Sequence, residues 1–488
     1  MRIFCVYACD VNEHLVRRDS HHMSATLEPP ATRRDVTTAL DGASWSPAHL
    51  RVCIALGIAW ILDGFETAVT GPVLGNVAHE LAFSSSYAAW VNPIYTVGML
   101  VGALIFGPLA DKLGRKRLFM ITLLIYGIAT VATGFAWNFA SLAVFRFITG
   151  VGIGGEYGAI NSAVEEFVPS HYRGRVDGFI NASWNIGAIT ASAAAFVALG
   201  SLPIGAWRAV FWFGAIVAVA VLAIRRLVPE SPRWLLAQGR VQEAFAIVKR
   251  LFGPGAIFAS GARVDHETTL IEKGESLGYW GQIRELARRT PRRMVFSWII
   301  NLSQVMPYYG ILAIGGIAIF PAVGLSGSQI PLLYLLGAGC GFAAQMLTAW
   351  LADAWGRRPT MLVAFIGATI FSMILAVAHA PTEFVVLFAF FSAFSAATGS
   401  GAYVVISEIF PTDLRATGIG VAVAVGRVGA IISPLMFFWL NRSFGLFSAF
   451  ATMGAIFAVG VIAMLWWYRF GVEGKDRSLE EMLTSGVM

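Results

Sequence analysis

Charge is scarce in this chain. Asp, Glu, Lys and Arg together make up 13% of its 488 residues, against 57% hydrophobic types. So few solvated side chains cannot coat a water-soluble protein of this length, and the composition calls for lipid as a solvent. Cysteine is scarce too. Cys5, Cys9, Cys53 and Cys340 have neither the spacing of a metal site nor the density of a disulfide framework. The eight histidines are scattered, which excludes a clustered metal centre. No G-x-x-x-x-G-K-[ST] run occurs, so a phosphate loop powered by ATP is excluded. A net charge of +6 would point to nucleic acid only if the cations shared one soluble face. They do not, and neither a cofactor, a metal nor a nucleic-acid partner is expected.

What is abundant is apolar sequence, in runs near the ~20 residues a helix needs to cross hydrocarbon. Twelve such runs cover 52–74, 88–110, 118–137, 140–164, 176–199, 207–228, 294–320, 330–352, 360–380, 383–407, 416–440 and 446–469. The chain divides accordingly into a polar tail (1–50), six runs (51–228), a charged stretch with amphipathic pattern (229–293), six more runs (294–470) and a second polar tail (471–488). The first tail lacks the apolar core of a secretory signal. Met23 opens a more ordinary start, and residues 1–22 are read as an over-extended translation start.

The two sets of six are copies. Asp111, Gly114 and Arg115 lie 242 residues before Asp353, Gly356 and Arg357, and Glu166, Pro169 and Arg173 lie the same distance before Glu408, Pro411 and Arg415. Two independent motifs sharing one offset mark an internal duplication, as expected of paired six-helix units. Of 35 Lys and Arg, 31 fall in the tails and in the loops on the hairpin side. The positive-inside rule therefore places both termini in the cytoplasm, with the protein in the inner or plasma membrane.

The D-x-x-G-R hairpin, present twice, resembles the signature loop of the major facilitator superfamily. Pro229-Glu-Ser-Pro-Arg-Trp234, together with the two E…R pairs, is similar to motifs of its sugar porters and related metabolite transporters. The resemblance implies an all-α membrane fold of twelve transmembrane helices in two pseudo-symmetric six-helix bundles. It further implies that Gly107, Asp111, Gly114, Arg115, Glu166, Arg173, Asp353, Gly356, Arg357, Glu408 and Arg415 form a charge network gating the transition between states.

Polar residues inside membrane helices are expensive and so are functional candidates. Trp60, Asp63, Glu66, Thr67 and Thr70 form one stripe on the first helix. Two carboxyls that close, out of water, resist joint ionisation, so Asp63 and Glu66 are expected to hold a proton between them. Asp63-Gly-Phe-Glu66 is similar to the D-G-x-D of aromatic-acid symporters, with the longer acid in second place. The fourth helix carries Arg146 and Gly150-Val-Gly-Ile-Gly-Gly-Glu-Tyr-Gly158. Gly150, Gly154 and Gly158 at four-residue steps let a neighbouring backbone approach. The same run satisfies G-x-G-x-x-G but follows no strand, so it is not a nucleotide loop. Glu156 is a second proton-site candidate or the partner of an arginine elsewhere, such as Arg427.

Asn181, Trp184 and Asn185 share a face of the fifth helix, and Asn301, Gln304 and Tyr308 a face of the seventh, which Pro307 is placed to bend. With Arg146 and Arg427 these are the substrate-binding candidates; a structural hydrogen bond between helices is the competing reading for each amide. The sequence reading is a proton-coupled symporter of a small organic metabolite, an organic or aromatic acid ahead of a sugar or polyol. Proton-antiport efflux and a non-transporting nutrient sensor remain as alternatives. The expected driving force is a proton gradient, the expected partners a small solute and the bilayer, and the expected state a monomer.

Overall fold

The computed structural model describes residues 45, 47–167, 170–201, 205–225, 229–252, 279–378, 380–410 and 414–470. Those residues form helices joined by short turns, without a strand among them. In chain order the spanning helices are α1 (Pro47–Ala68, continued by Thr70–Glu80), α2 (Val91–Leu113), α3 (Arg115–Thr133), α4 (Phe139–Phe167), α5 (Ser170–Ser201) and α6 (Ala206–Arg225). The second set is α7 (Pro291–Ile314, continued by a π-turn at Gly315–Ile319), α8 (Gln329–Ala354), α9 (Arg357–Ala376), α10 (Pro381–Ile409), α11 (415–444) and α12 (446–470). The last two are separate helices that reverse direction at Gly445, which adopts φ 81°, ψ 179°. Between α6 and α7 the described residues form short helices at Pro232–Ala237, Val241–Phe252 and Tyr279–Arg289.

The two repeated hairpins turn alike. Gly114 and Gly356, 242 positions apart, have φ 89° and 104°, a conformation that any Cβ would strain. We call this the hairpin end. There Glu230 reaches back to α3, its Oε1 accepting from Lys116 N at 3.2 Å and from Ser231 N at 3.1 Å. A carboxylate at a helix N-terminus is favoured by the helix dipole and the unpaired amides there. Arg357 donates to Ala352 O at 3.1 Å and so helps to close the end of α8.

Within the first half α1 packs on α5, and α2 and α3 on α4; within the second, α7 and α9 pack on the α11–α12 pair and α8 on α10. Glycine permits the closest of these contacts. A Cβ on Gly150 or Gly154 of α4 would lie 2.1 Å from Tyr95 O or 1.9 Å from Met99 O of α2, and Gly98 and Gly102 of α2 return the contact. Gly64 of α1 and Gly187 of α5 interlock in the same way. Backbones this close gain dispersion and weak polar contacts in a solvent that offers no hydrophobic drive between helices. Helix α7 remains helical through Pro307 and changes to π winding at Gly315.

The halves meet along α5 against α8 and α2 against the α11–α12 pair. At the end opposite the hairpins, α1 also crosses the π-turn of α7. A Cβ on Gly71 would sit 2.4 Å from Leu312 O, and one on Gly316 2.6 Å from Gly71 O. Tyr334 of α8 holds that turn, its hydroxyl accepting from Gly316 N at 3.0 Å and facing the carbonyls of Ile311 and Leu312. Nearby, Arg442 donates to Ser86 Oγ at 2.7 Å, which ties the two halves at their rims.

Candidate functional site

The centre of the first half holds an ion pair wholly out of water. Arg146 of α4 and Glu66 of α1 are both 0% exposed, with Nη1 3.3 Å from Oε2. Arg146 Nη2 also donates to the backbone carbonyl of Glu66 at 2.8 Å. The Tyr95 ring of α2 lies 4.5 Å from the guanidinium carbon and the Phe211 ring of α6 lies 5.7 Å from it, close enough for cation–π attraction. Room for the carboxylate comes from α6, where a Cβ on Gly214 would stand 3.1 Å from Glu66 Oε1. At the next residue, Thr67 and Tyr95 share a hydroxyl–hydroxyl bond of 3.0 Å.

Arg146, a substrate-binding candidate from sequence, is engaged with Glu66 and the α1 backbone. Asp63 and Glu66, the expected proton pair, each have a partner on a different helix. Asp63, 5% exposed, accepts from Trp184 Nε1 of α5 at 3.2 Å. The stripe on α1 was legible, but a three-residue step leaves two side chains free to take separate partners.

Across the midline the second half presents aromatic and cationic groups. The Trp184 and Tyr308 rings lie 5.9 Å apart, from α5 and α7 respectively, and Tyr308 abuts Tyr309 at 5.7 Å. Arg427 of α11 is half-buried, with Nη1 3.2 Å from the Tyr309 hydroxyl and 3.4 Å from Met99 Sδ of α2. A small cleft opens beside Tyr309, lined by Thr67, Asn92, Tyr95 and Thr96 of the first half and Tyr309, Leu312, Ala430 and Pro434 of the second.

The amides are placed otherwise. Asn301 donates to Ala422 O at 2.6 Å and accepts from Gln304 Nε2 at 2.8 Å, which fastens α7 to α11. Asn185 donates to Gln345 Oε1 at 2.7 Å, a bond from α5 to α8 and hence between the halves. For Asn185 and Asn301 the inter-helix reading therefore describes what the structure shows. Asn181 is half-buried on the same helix as Trp184. Tyr95, Tyr309 and Gln345 were not singled out from sequence. Gln345, a lone amide in an apolar run, carried the same signal of cost in lipid as the residues that were.

Among the gating candidates, Gly107, Gly114, Gly356 and Arg357 are described; the side chains of Asp111, Arg115, Glu166, Arg173, Asp353, Glu408 and Arg415 lie outside the described residues. So does that of Glu156. Among the described residues no group of His, Cys, Asp and Glu could hold a metal.

Residues 21–485 match the family model described as "Sugar (and other) transporter". The chain belongs to that family. As a member of the major facilitator superfamily, this transporter has the twelve-helix fold of the solved xylose transporter XylE from E. coli. The inward-open structure of that protein superposes with a TM-score of 0.71 at 19% identity, covering 89% of this chain and 99% of the other. Among curated relatives, the niacin transporter NiaP of Acinetobacter baylyi is 30% identical over 407 residues, 82% of this chain and 89% of its own. The benzoate transport protein of the same organism is 27% identical, over 83% and 86%. The chain is an integral membrane transporter.

Proposed function

We propose that this transporter is a proton symporter for a small organic acid with an aromatic or similarly flat body. In this reading the hairpin end faces the cytoplasm, and the described arrangement, joined at Gly71–Gly316 and Arg442–Ser86, is shut towards the exterior. Glu66 and Arg146 carry the coupling. A buried carboxylate costs several kcal/mol unless paired, and the pair gains from its geometry only while both members are charged. Protonating Glu66 cancels that attraction and leaves Arg146 held by the Glu66 carbonyl and the Tyr95 ring. A change in the charge state of α1 against α2, α4 and α6 alters how the first half packs, which is the requirement for tying a proton to a conformational step.

The substrate reading rests on the facing surface. Arg427, beside Tyr309, supplies a cation and a hydroxyl suited to a carboxylate, while Trp184 and Tyr308 offer ring faces to a flat body. Relatives named for niacin and benzoate, both aromatic carboxylates, support this over a sugar. So does the engagement of Asn301 and Asn185 with other helices, and of Gln304 with Asn301, since a polyol would need such amides for its hydroxyls. Asp63, fixed on Trp184, joins the first-half acid to the ring that would contact the ligand.

The test is uptake into proteoliposomes under an imposed outside-acid gradient, offering labelled aromatic acids, aliphatic acids and sugars. Uphill accumulation of aromatic acids, abolished by a protonophore and by Glu66→Gln, is the expected result. Uphill sugar accumulation would instead favour the sugar-porter reading. Uptake insensitive to the gradient would remove the proton, and ligand binding without any uptake would favour a sensor.

A further inference from the structure

The helix at Tyr279–Arg289 has two unlike faces. On one, Leu286 is fully buried, and Gln282 accepts from Thr417 Oγ1 at 2.5 Å. Just beyond the helix, Arg293 donates to Ile409 O at 2.9 Å. These contacts fix the segment to the hairpin-end termini of α10 and α11. On the other face Trp280, Arg284 and Arg288 follow at four-residue steps, so they form one stripe. Trp280 is 79% exposed, and Arg284, Arg288, Arg289 and Arg292 all reach the surface. Glu285 offsets one of those charges, at Arg289 Nε, 2.6 Å away. The stripe ends where α7 begins, and α7 is apolar enough to span from Pro291 to Ala322.

We infer that this face binds the anionic headgroups of the leaflet on the hairpin side. A solvent-exposed indole is costly in water and favoured at the headgroup level. Arginines one turn apart, next to the entry of a spanning helix, meet lipid phosphates at that same depth, each adding attraction that falls off within a Debye length. Guanidinium forks suit phosphate oxygens better than point charges do. The rest of the helix is already anchored to protein, so the stripe is presented without an ordering cost. Bound lipid would thereby grip the segment that joins α7 to the ends of α10 and α11.

The experiment titrates the full chain, purified in mild detergent, with phosphatidylglycerol or with phosphatidylcholine, and counts bound lipid by native mass spectrometry. Phosphatidylglycerol should bind in preference, and Arg284→Gln/Arg288→Gln should weaken it about ten-fold, to the level of phosphatidylcholine. Trp280→Ala should lower retention of both lipids. In parallel, backbone hydrogen exchange of residues 279–293 should slow in nanodiscs containing one-third phosphatidylglycerol and not in pure phosphatidylcholine, with the difference removed by 1 M salt. Equal binding of the two lipids, unchanged binding in the double variant, or exchange indifferent to lipid charge would each overturn the inference. None of these readouts depends on transport.

Discussion

Among the described residues Arg146 is charged and fully buried, with Glu66 to answer it. Removing one member of such a pair strands the other's charge. Arg146→Gln should therefore destabilise the protein by about 3–5 kcal/mol, whereas Glu66→Gln/Arg146→Gln should cost less than the two single changes summed. Thermal unfolding in detergent of the four proteins checks this; additive losses would mean that the two side chains do not interact. Arg427 stands in a different setting, half-buried and facing a hydroxyl and a thioether. Its replacement by Gln should leave folding intact and raise KM for an acid substrate at least ten-fold, as losing a charged hydrogen bond of roughly 1.5–3 kcal/mol requires. Concentration-dependent uptake measures it, and an unchanged KM would place the carboxylate elsewhere.

At the scale of elements the glycines set helix spacing. Gly154 leaves a hypothetical Cβ 1.9 Å from the Met99 carbonyl, while nothing lies within 4 Å of one at Gly339. Gly154→Leu should force α2 and α4 apart and lower the yield of folded protein several-fold. Gly339→Ala should behave as wild type, with size-exclusion profiles after extraction as the readout. The faces responsible were legible in the sequence, since four-residue steps of glycine mean one surface of a helix whatever lies opposite. The break in α7 was not. Proline marks a missing donor within the helix at Pro307, but the winding changes at Gly315, where Tyr334 from another helix supplies the bonds.

For the molecule as a whole, the close crossing of Gly71 and Gly316 is where the halves approach most nearly at the rim opposite the hairpins. A bulky side chain there cannot be accommodated while the rim is shut. Gly316→Trp should hold that end open, abolish transport and retain ligand binding, and labelling of cysteines introduced along α1 should become faster from that side. Transport at the wild-type rate would show that the rim need not close.

The sequence by itself determined the solvent, the number of spanning helices, the duplication at 242 residues and the residues too costly to be idle in lipid. Each follows from local composition and spacing, because a helix satisfies its own backbone and needs only its length and faces to be specified. Only the tertiary structure decided which of those costly residues answer one another. Glu66 finds Arg146 across 80 residues, Asn185 finds Gln345 across 160, and Asp63 finds Trp184 across 121. Such pairings depend on the depth and rotation at which two helices lie side by side. Those are fixed by many small packing contacts spread along the chain, and no short motif records their sum.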